Sequence, residues 1–517
     1  MDYSEPEGSQ PLMDLLSYYY ADRLYLLRSI NLILSHRPRP GDKPDIILQR
    51  QSGIDGEKLL DQLDQLLKTT PVPARSRDLN SQMISIMHLQ HLRERATLLE
   101  SLLLFVENTP LSDSGIDRIF KLSKKNFFLL NPSSSYLVDS AIASKLTELS
   151  AVLLQLMLIK TITRIITTSP SDKQLKELDS NLSMLQSTEI KILAPLQLAW
   201  AMVRFLNSDY FASKDENAAE VTGKLARIAF DAGVWKVSRT VLEMPQLSQN
   251  ITSRAANDAI LSLIDSSLQS FDAESAGTTY EIAQTIVTCF EHEKISAEFW
   301  AKFDLYSDEE DSGLKGFIAS QVKLLPLDFE ITIQILASSA SSTVGASMVS
   351  KLFNGVAYLT EQISGDETSD EIISFDSGSK WKLKEDRHVA GFTIPAGSDG
   401  ELFHGHLGAI VQWRVAPVSG WNLLGLILSG THHSDVTISS IKLYTRCFKS
   451  DTSNLHQLLP HISKLFKCSV SNFGYDNNID LVLQLCECLL VLSDQNPEYC
   501  LELMSRIFPQ CRALKKT

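Results

Sequence analysis

A stretch of β-type patterning interrupts a chain whose other segments carry helical periodicity. Within residues 379–428, the run Val389–Ile394 is rich in β-branched and aromatic side chains, and Pro395 and Gly397 close it. Proline and glycine at that point cannot continue a helix, so the run is predicted to be a strand. A short β segment inside a long helical chain is uncommon, and it therefore constrains the fold more than any helical segment does.

The second half of this stretch has the alternation of a half-buried strand. Every second residue is apolar from residue 409 to residue 415, and these positions share one face: Ala409, Val411, Trp413 and Val415. Pro417–Gly420 then supplies a turn, and Trp421–Leu424 is predicted as the strand that completes a hairpin. We expect residues 375–432 to form a small β-barrel inserted in the helical array.

Helical periodicity covers residues 12–361 and resumes at residue 436. In one segment Arg93, Arg95 and Glu100 fall outside the apolar face, whose members recur at steps of three and four: Leu89, Leu92, Ala96, Leu99, Leu103 and Val106. Prolines separate such segments at irregular intervals, and no repeat of about 33 or 34 residues indicates ankyrin or tetratricopeptide arrays. The expected fold is all-α, a superhelical solenoid of antiparallel helices over residues 1–374 and 433–517, interrupted by the β insert.

Composition limits the classes of ligand. Hydrophobic residues make up 44% of the chain and charged residues 21%, a globular balance, and the formal net charge is −14. Binding to a phosphate backbone requires a basic face, so nucleic acid is not an expected ligand. The clearest acidic runs are Asp308–Asp311 and Asp366–Glu371, which are predicted to be solvated loops, with a basic partner as the alternative.

Cysteine usage and hydropathy indicate the compartment. The seven cysteines include no Cys-x-x-Cys pair, which is typical of reduced thiols in the cytosol or nucleus. The first residues contain no basic region followed by an apolar core, so no secretory signal is predicted. The most apolar run, Ala151–Ile159, is flanked by Lys145 and Lys160 and is too short and too charged to span a membrane.

The candidate metal ligands and catalytic groups do not occur at spacings typical of a metal site or a catalytic site. Histidines occur in pairs at His88 and His91, at His404 and His406, and at His432 and His433, each without a third ligand at supporting spacing. Cys486 and Cys488 on a leucine-rich helix are predicted to face different sides, as small apolar residues.

The triplet Glu291-His292-Glu293 has side chains that diverge, and it is predicted to lie on a solvated helix face. The glycines between residues 397 and 408 form no phosphate-binding turn, and no Gly-x-Ser-x-Gly elbow occurs. We therefore predict no catalytic, cofactor-binding or metal-binding residues, no cofactor and no enzymatic activity.

Several segments, in the same order along the chain, resemble the large inner-ring scaffold nucleoporins. They are Ser17–Arg28, with its run of three tyrosines, Leu92–Glu100, and Ala194–Arg204. Within the insert, the matching positions are Trp381, Ile394–Gly397, Gly408, Val411, Trp413 and Trp421. The resemblance extends from Tyr18 to about Leu428, and because that family is far longer, it implies that this chain corresponds to one part of such a protein.

The resemblance implies an α-helical solenoid with an SH3-like β insert, acting as a structural subunit of the nuclear pore complex. It implies localisation at the nuclear envelope and a role in nucleocytoplasmic transport of protein and mRNA. The implied partners are an inner-ring adaptor nucleoporin and, weakly, Phe-Gly repeat nucleoporins, with no membrane span and no direct contact to nucleic acid. A Phe-Gly segment would insert its ring into an apolar slot between neighbouring helices.

Two alternatives remain open. A karyopherin-like transport receptor or adaptor would hold a basic cargo peptide on an acidic inner face bearing a repeated Trp-x-x-x-Asn pattern, which the sequence lacks. An SH3-type signalling module would need exposed clustered aromatics to bind polyproline. Trp413 and Trp421 are the candidates for that role, and Trp413 lies on the apolar face of its predicted strand.

Overall fold

A computed structural model describes most of the chain. The described ranges are 9–36, 53–69, 81–130, 140–271, 279–302, 313–363, 372–375, 380–389, 391–405, 408–430, 434–449, 479–495 and 497–507. The chain divides into two compact units, Met1–Ser270 and Phe271–Thr517, which we describe separately.

The described part of the first unit is helical. Its helices are α1 (Ser9–Ser35), α2 (Gly56–Lys68), α3 (Ser81–Asn108), α4 (Asp113–Lys125), α5 (Ser140–Thr168), α6 (Asp172–Leu182), α7 (Ala194–Leu206), α8 (Ser208–Ala212), α9 (Ala218–Asp231), α10 (Val234–Glu243), α11 (Pro245–Ser248) and α12 (Ser253–Ser270). Short 3₁₀ turns lie at Phe127–Leu129, Ser183–Ser187 and Lys191–Leu193.

Helices α3, α5 and α7 form the centre of this unit. The part of α5 from Ala141 to Thr168 is long and apolar enough to cross a membrane by length and composition, but 83% of its most apolar window is buried against other helices. Such burial is typical of the core helix of a folded protein. In α7 every residue from Ala194 to Arg204 is buried, so this segment of the nucleoporin resemblance is a core helix.

Local sequence explains the start of two helices. The Ser171 hydroxyl accepts a bond from the Gln174 backbone while the Gln174 side chain accepts one from the Ser171 backbone, which forms a capping box at the start of α6. Proline stands in the first turn of α7 at Pro195.

The second unit combines helices with a β insert. Its helices are α13 (Thr279–Phe290), α14 (Glu293–Ala301), α15 (Gly313–Lys323), α16 (Phe329–Ser339), α17 (Thr343–Asn354), α18 (Gly420–Gly430), α19 (Ser434–Phe448), α20 (Ile479–Gln495) and α21 (Pro497–Ile507). Its strands are β1 (Val356–Gln362), β2 (Ile372–Phe375), β3 (Lys380–Leu383), β4 (Arg387–Val389), β5 (Phe392–Ile394), β6 (Asp399–Gly405) and β7 (Gly408–Val418).

The insert is a small antiparallel sheet with its own core. Five strands pair in the order β1-β7-β6-β3-β2, and β4 and β5 form a separate hairpin. The hairpin packs against the sheet through a shared cluster: Leu359, Ile363, Trp381, Leu383, Val389, Ile394, Val411 and Trp413. The predicted β insert is thus present as an open sheet plus a hairpin, and the described strands do not close into a barrel.

The structure corrects the prediction for Trp421–Leu424. These residues lie in helix α18, where the Trp421 ring packs edge-on against Phe353 at 5.0 Å between centroids, and not in a hairpin strand. The segment is continuously apolar, and a short apolar run does not distinguish a strand from a buried helix. Gly420 permits the approach, since a Cβ there would lie 2.8 Å from the Phe353 ring.

The sheet also begins earlier than the sequence pattern indicates. Residues 356–361 continue the predicted helical periodicity, yet they form β1, which pairs with β7. The backbone of this strand forms hydrogen bonds with β7. The backbone N–H of Thr360 donates a further bond to the Leu325 carbonyl at 2.8 Å. The boundaries at residues 375 and 432 stay predictions as limits of an independently folding insert.

Candidate binding groove on four helices of the second unit

A groove of about 510 Å³ crosses α13, α16, α19 and α20, and we call it the four-helix groove. Each helix contributes residues spaced by three or four positions, so that one face of each helix lines the groove. The lining residues are Tyr280, Gln284, Val287 and Glu291; Glu330, Gln334, Ala337 and Ser338; Asp435, Ile438, Ser439 and Lys442; and Asp480, Leu483 and Gln484.

The groove mixes apolar and acidic side chains. Tyr280 and Leu483 are 49% and 58% exposed, so the groove presents large apolar groups to solvent. Four lining side chains are carboxylates, Glu291, Glu330, Asp435 and Asp480, while Lys442 is the cationic one. A surface of this kind suits a peptide that offers apolar side chains and little negative charge.

An ion-pair cluster fixes one end of the groove. The Glu291 carboxylate, just after α13, accepts bonds from Arg446 Nη2 at 2.8 Å and from Lys442 Nζ at 2.7 Å, both on α19. Arg446 Nη1 also donates to the Ala337 carbonyl in the last turn of α16 at 2.7 Å. A guanidinium is favourable at a helix C-terminus, so this one side chain connects the ends of three helices.

The same cluster sets the titration of Glu291. Burial would raise the pKa of its carboxyl, but hydrogen bonds and charge from Arg446 and Lys442 hold the pKa below its usual value. The predicted solvated face is confirmed for Glu291 and Glu293, which are exposed, although the triplet spans the turn from α13 into α14 and not one helix face. Glu291 is nevertheless bonded to two cations. Its side chain is a structural anchor, and the sequence could not show this because Arg446 lies far along the chain.

A row of side-chain amides spans the groove floor between α13 and α16. Gln284 donates to the Gln334 carbonyl oxygen, and Gln334 donates to the Glu330 carboxylate at 3.4 Å. Amide and carboxylate groups can bond to the backbone of an extended peptide. The lining residues include neither histidine nor cysteine.

The candidate histidines are dispersed. His88 and His91 lie on α3, where burial, followed by the charges of Arg95 and His88, lowers the pKa of His91 to about 4. Across the described ranges no group of three or more His, Cys, Asp or Glu side chains is placed to hold a metal ion. His404 lies in β6, while His406, His432 and His433 fall outside the described residues.

The prediction that Cys486 and Cys488 face different sides of their helix is confirmed, whereas the expected behaviour of both as buried apolar residues holds only for Cys488. Cys486 is exposed and Cys488 is buried, so the two thiols face different sides of α20. Burial raises the pKa of the Cys488 thiol to about 12, which keeps it protonated and unreactive. Cys468 and Cys511 lie outside the described residues.

Sequence reasoning did not predict the four-helix groove. Its lining comes from segments separated by up to two hundred residues, and only the packing of α13, α16, α19 and α20 brings them together. The one local signal is the spacing Tyr280, Gln284, Val287 and Glu291, which places an aromatic and a carboxylate on one face of a single helix.

Comparison with known proteins gives a consistent set of relatives, although no protein-family model matches the chain. Over 95% of its length the chain is 20% identical to nucleoporin NUP188 of Homo sapiens and 22% identical to that of Xenopus tropicalis. It covers 29% of the length of these relatives. The segments quoted above resemble the 188-kDa inner-ring scaffold nucleoporin, and this prediction is confirmed: the chain is a distant homologue of nucleoporin NUP188.

Proposed function

We propose that this chain is part of a structural scaffold subunit of the nuclear pore complex, where it supports nucleocytoplasmic transport. The observation that carries the proposal is similarity to NUP188 along nearly the whole chain. The homology also supports localisation at the nuclear pore complex and implies a non-enzymatic structural protein. The packed helices and small β insert agree with such a role, since both provide surface for contacts with other proteins.

Other nucleoporins are the proposed partners. Helices packed in succession, with α13 on α16, α16 on α19 and α19 on α20, give an extended surface along which an adaptor nucleoporin can bind. We propose that the helices build a superhelical solenoid and that the β insert is an SH3-like domain of the same scaffold.

The four-helix groove is our proposed site for a Phe-Gly segment. Val287, Ile438 and Leu483 supply apolar contacts for a phenylalanine ring, and Gln284 and Gln334 can bond to the peptide backbone. Binding is expected to be weak because a disordered peptide loses conformational entropy for each small contact it gains.

Capture of a Phe-Gly repeat tests this site. We expect the full chain to bind a Phe-Gly peptide and to bind its Phe→Ser counterpart much less. Leu483→Ser should weaken Phe-Gly binding roughly fivefold, since one apolar contact is lost. Leu490→Ser is the matched control, because Leu490 lies on the same helix and is 69% exposed but does not line the groove.

Equal capture of the two peptides would rule out a Phe-Gly surface and leave a purely architectural subunit. Equal effects of Leu483→Ser and Leu490→Ser would place the binding site elsewhere on the chain. Neither result bears on the scaffold role itself, which depends on partners in the nuclear pore complex.

A further inference from the structure

The four-helix groove has an acidic end, which we call the acidic rim. The rim consists of Glu330, Asp435 and Asp480, which are exposed and lie at the second positions of α16, α19 and α20. A carboxylate in the first turn of a helix is favourable, because the helix dipole places positive charge there. These three carboxylates also line the groove, so their charge acts on any peptide that binds in it.

The helices that form the groove run in the same direction. Gln284 and Gln334, at the sixth positions of α13 and α16, bond to each other. Arg446, near the end of α19, bonds to Glu291 just after α13 and to the Ala337 carbonyl near the end of α16. The first turns of α13, α16 and α19 therefore lie at one end of the groove, and the Glu291 cluster lies at the other.

The groove lining is negatively charged as a whole. Four carboxylates against one lysine leave a net charge of −3. The lysine, Lys442, donates to Glu291 at 2.7 Å, so its positive charge lies away from the acidic rim. A bound segment with carboxylates would be repelled by the rim, and a segment with a cationic side chain at that position would be attracted.

Each aspartate of the acidic rim stands beside an apolar side chain of the groove. Ile438 follows Asp435 by three positions on α19. Leu483 follows Asp480 by three positions on α20. Residues three apart on a helix share a face, with Cβ atoms about 5–6 Å apart. In an extended peptide, side chains two residues apart share a face and are separated by about 6–7 Å, so the two spacings match.

We propose that the four-helix groove selects Phe-Gly segments that carry a lysine or arginine two residues from the phenylalanine. This selectivity rests on the Phe-Gly site proposed above. The phenylalanine ring packs on Ile438 and Leu483, and the cationic side chain lies at the acidic rim. Tyr280, in the first turn of α13, is 49% exposed and adds an aromatic ring on which a cation can pack.

Titration of the full chain with labelled peptides tests the selectivity. Three peptides of equal length contain Phe-Gly-Lys, Phe-Gly-Gln or Phe-Gly-Glu repeats, and a fourth is the lysine peptide with serine in place of phenylalanine. We expect the lysine peptide to bind roughly three- to tenfold more tightly than the glutamine peptide, because exposed ion pairs contribute modestly. The glutamate peptide should bind most weakly of these three. The preference for lysine should decline as salt is added, because salt screens exposed charges.

Neutralising the acidic rim separates peptide selection from helix stabilisation. Asp435→Asn with Asp480→Asn should lower the affinity for the lysine peptide to about that for the glutamine peptide, and should leave the latter nearly unchanged. Carboxylates that only stabilised their helices would change the melting temperature and not the preference. Asp494→Asn is the matched control, because Asp494 is exposed on α20 but does not line the groove.

Equal affinity for the lysine, glutamine and glutamate peptides would overturn the selectivity and leave the Phe-Gly site in place. A preference for lysine that survives Asp435→Asn with Asp480→Asn would also overturn it, since the cation would then bind elsewhere. Equal binding of the lysine peptide and its serine counterpart would do the same, because charge alone would explain it. If all four peptides failed to bind, the proposed Phe-Gly site itself would be wrong, and the selectivity with it.

Discussion

At the scale of single residues, Trp413 organises the β insert. It is fully buried, its indole N–H donates to Glu361 Oε1 at 2.6 Å, and the same carboxylate pairs with Arg387 of the hairpin at 2.7 Å. Gly400 lies across from Trp413 on β6, where a Cβ would come within 2.5 Å of the indole ring. The sequence placed Trp413 on the apolar face correctly, but it could not reveal Glu361, which lay in a predicted helix.

Truncating Trp413 should therefore loosen the insert. We expect Trp413→Ala to cost about 3–5 kcal/mol within the insert, from lost burial and the cavity left behind. Trp413→Phe should cost less, because it keeps most of the volume and loses only the bond to Glu361. Hydrogen exchange of the β6 and β7 amides measures the change in stability of the insert. Urea denaturation of the same variants measures the stability of the chain as a whole, for comparison.

Arg414→Ala provides the control for this pair, since Arg414 is the exposed neighbour on the same strand. Unchanged exchange rates of β6 in Trp413→Ala would show that the indole is not the centre of the insert core.

At the scale of elements, features that depend on local residue spacing could be predicted from the sequence, whereas features that depend on contacts with other helices could not. The capping box of α6 and the apolar face of α3 follow from local spacing. Arg95 was predicted on a polar face of α3, yet it is buried and donates to Ser150 of α5 at 3.3 Å, because a second helix covers that face. The spacing of residues along one helix does not predict such tertiary contacts, and the same holds for the contacts that form the four-helix groove.

The Glu291 cluster predicts a pH dependence for the helix ends it connects. The Glu291 pKa is lower in the folded chain than its ordinary 4.5, so its ionised form stabilises the fold. That contribution is complete above about 4.5 and is lost as pH falls through the lowered, folded-state value. Glu291→Gln should therefore destabilise the chain at pH 7, by about 0.5–1 kcal/mol because the carboxylate is partly exposed and solvent screens its ion pairs.

The destabilisation by Glu291→Gln should shrink toward zero as the pH is lowered below 4. Urea denaturation of both proteins between pH 3 and pH 7 measures this difference. Glu385→Gln removes a carboxylate from an exposed turn and should show little effect at any pH. A difference between Glu291→Gln and the unmodified chain that is constant with pH would exclude the ion pair as its cause.

At the scale of the whole molecule, resemblance was more informative than any local motif. Each segment shared with the scaffold nucleoporins is short, but their order along the chain predicted the homology that the full-length comparison then confirmed. The mostly helical architecture and the antiparallel β insert followed from periodicity and from the break in it. The solenoid curvature stays a prediction, because helix period fixes which face is buried but not the angle between successive pairs.

Imaging of the endogenous protein tests the central claim most directly, because it leaves the natural protein intact and separates a scaffold from a mobile receptor. A fluorescent tag is placed at the native locus, and photobleaching recovery is measured at the nuclear rim. We predict a punctate rim signal that overlaps nuclear pore markers and recovers slowly, as expected of a subunit built into the pore. A diffuse signal in nucleus and cytoplasm with rapid recovery would contradict the scaffold assignment and favour a karyopherin-like transport receptor.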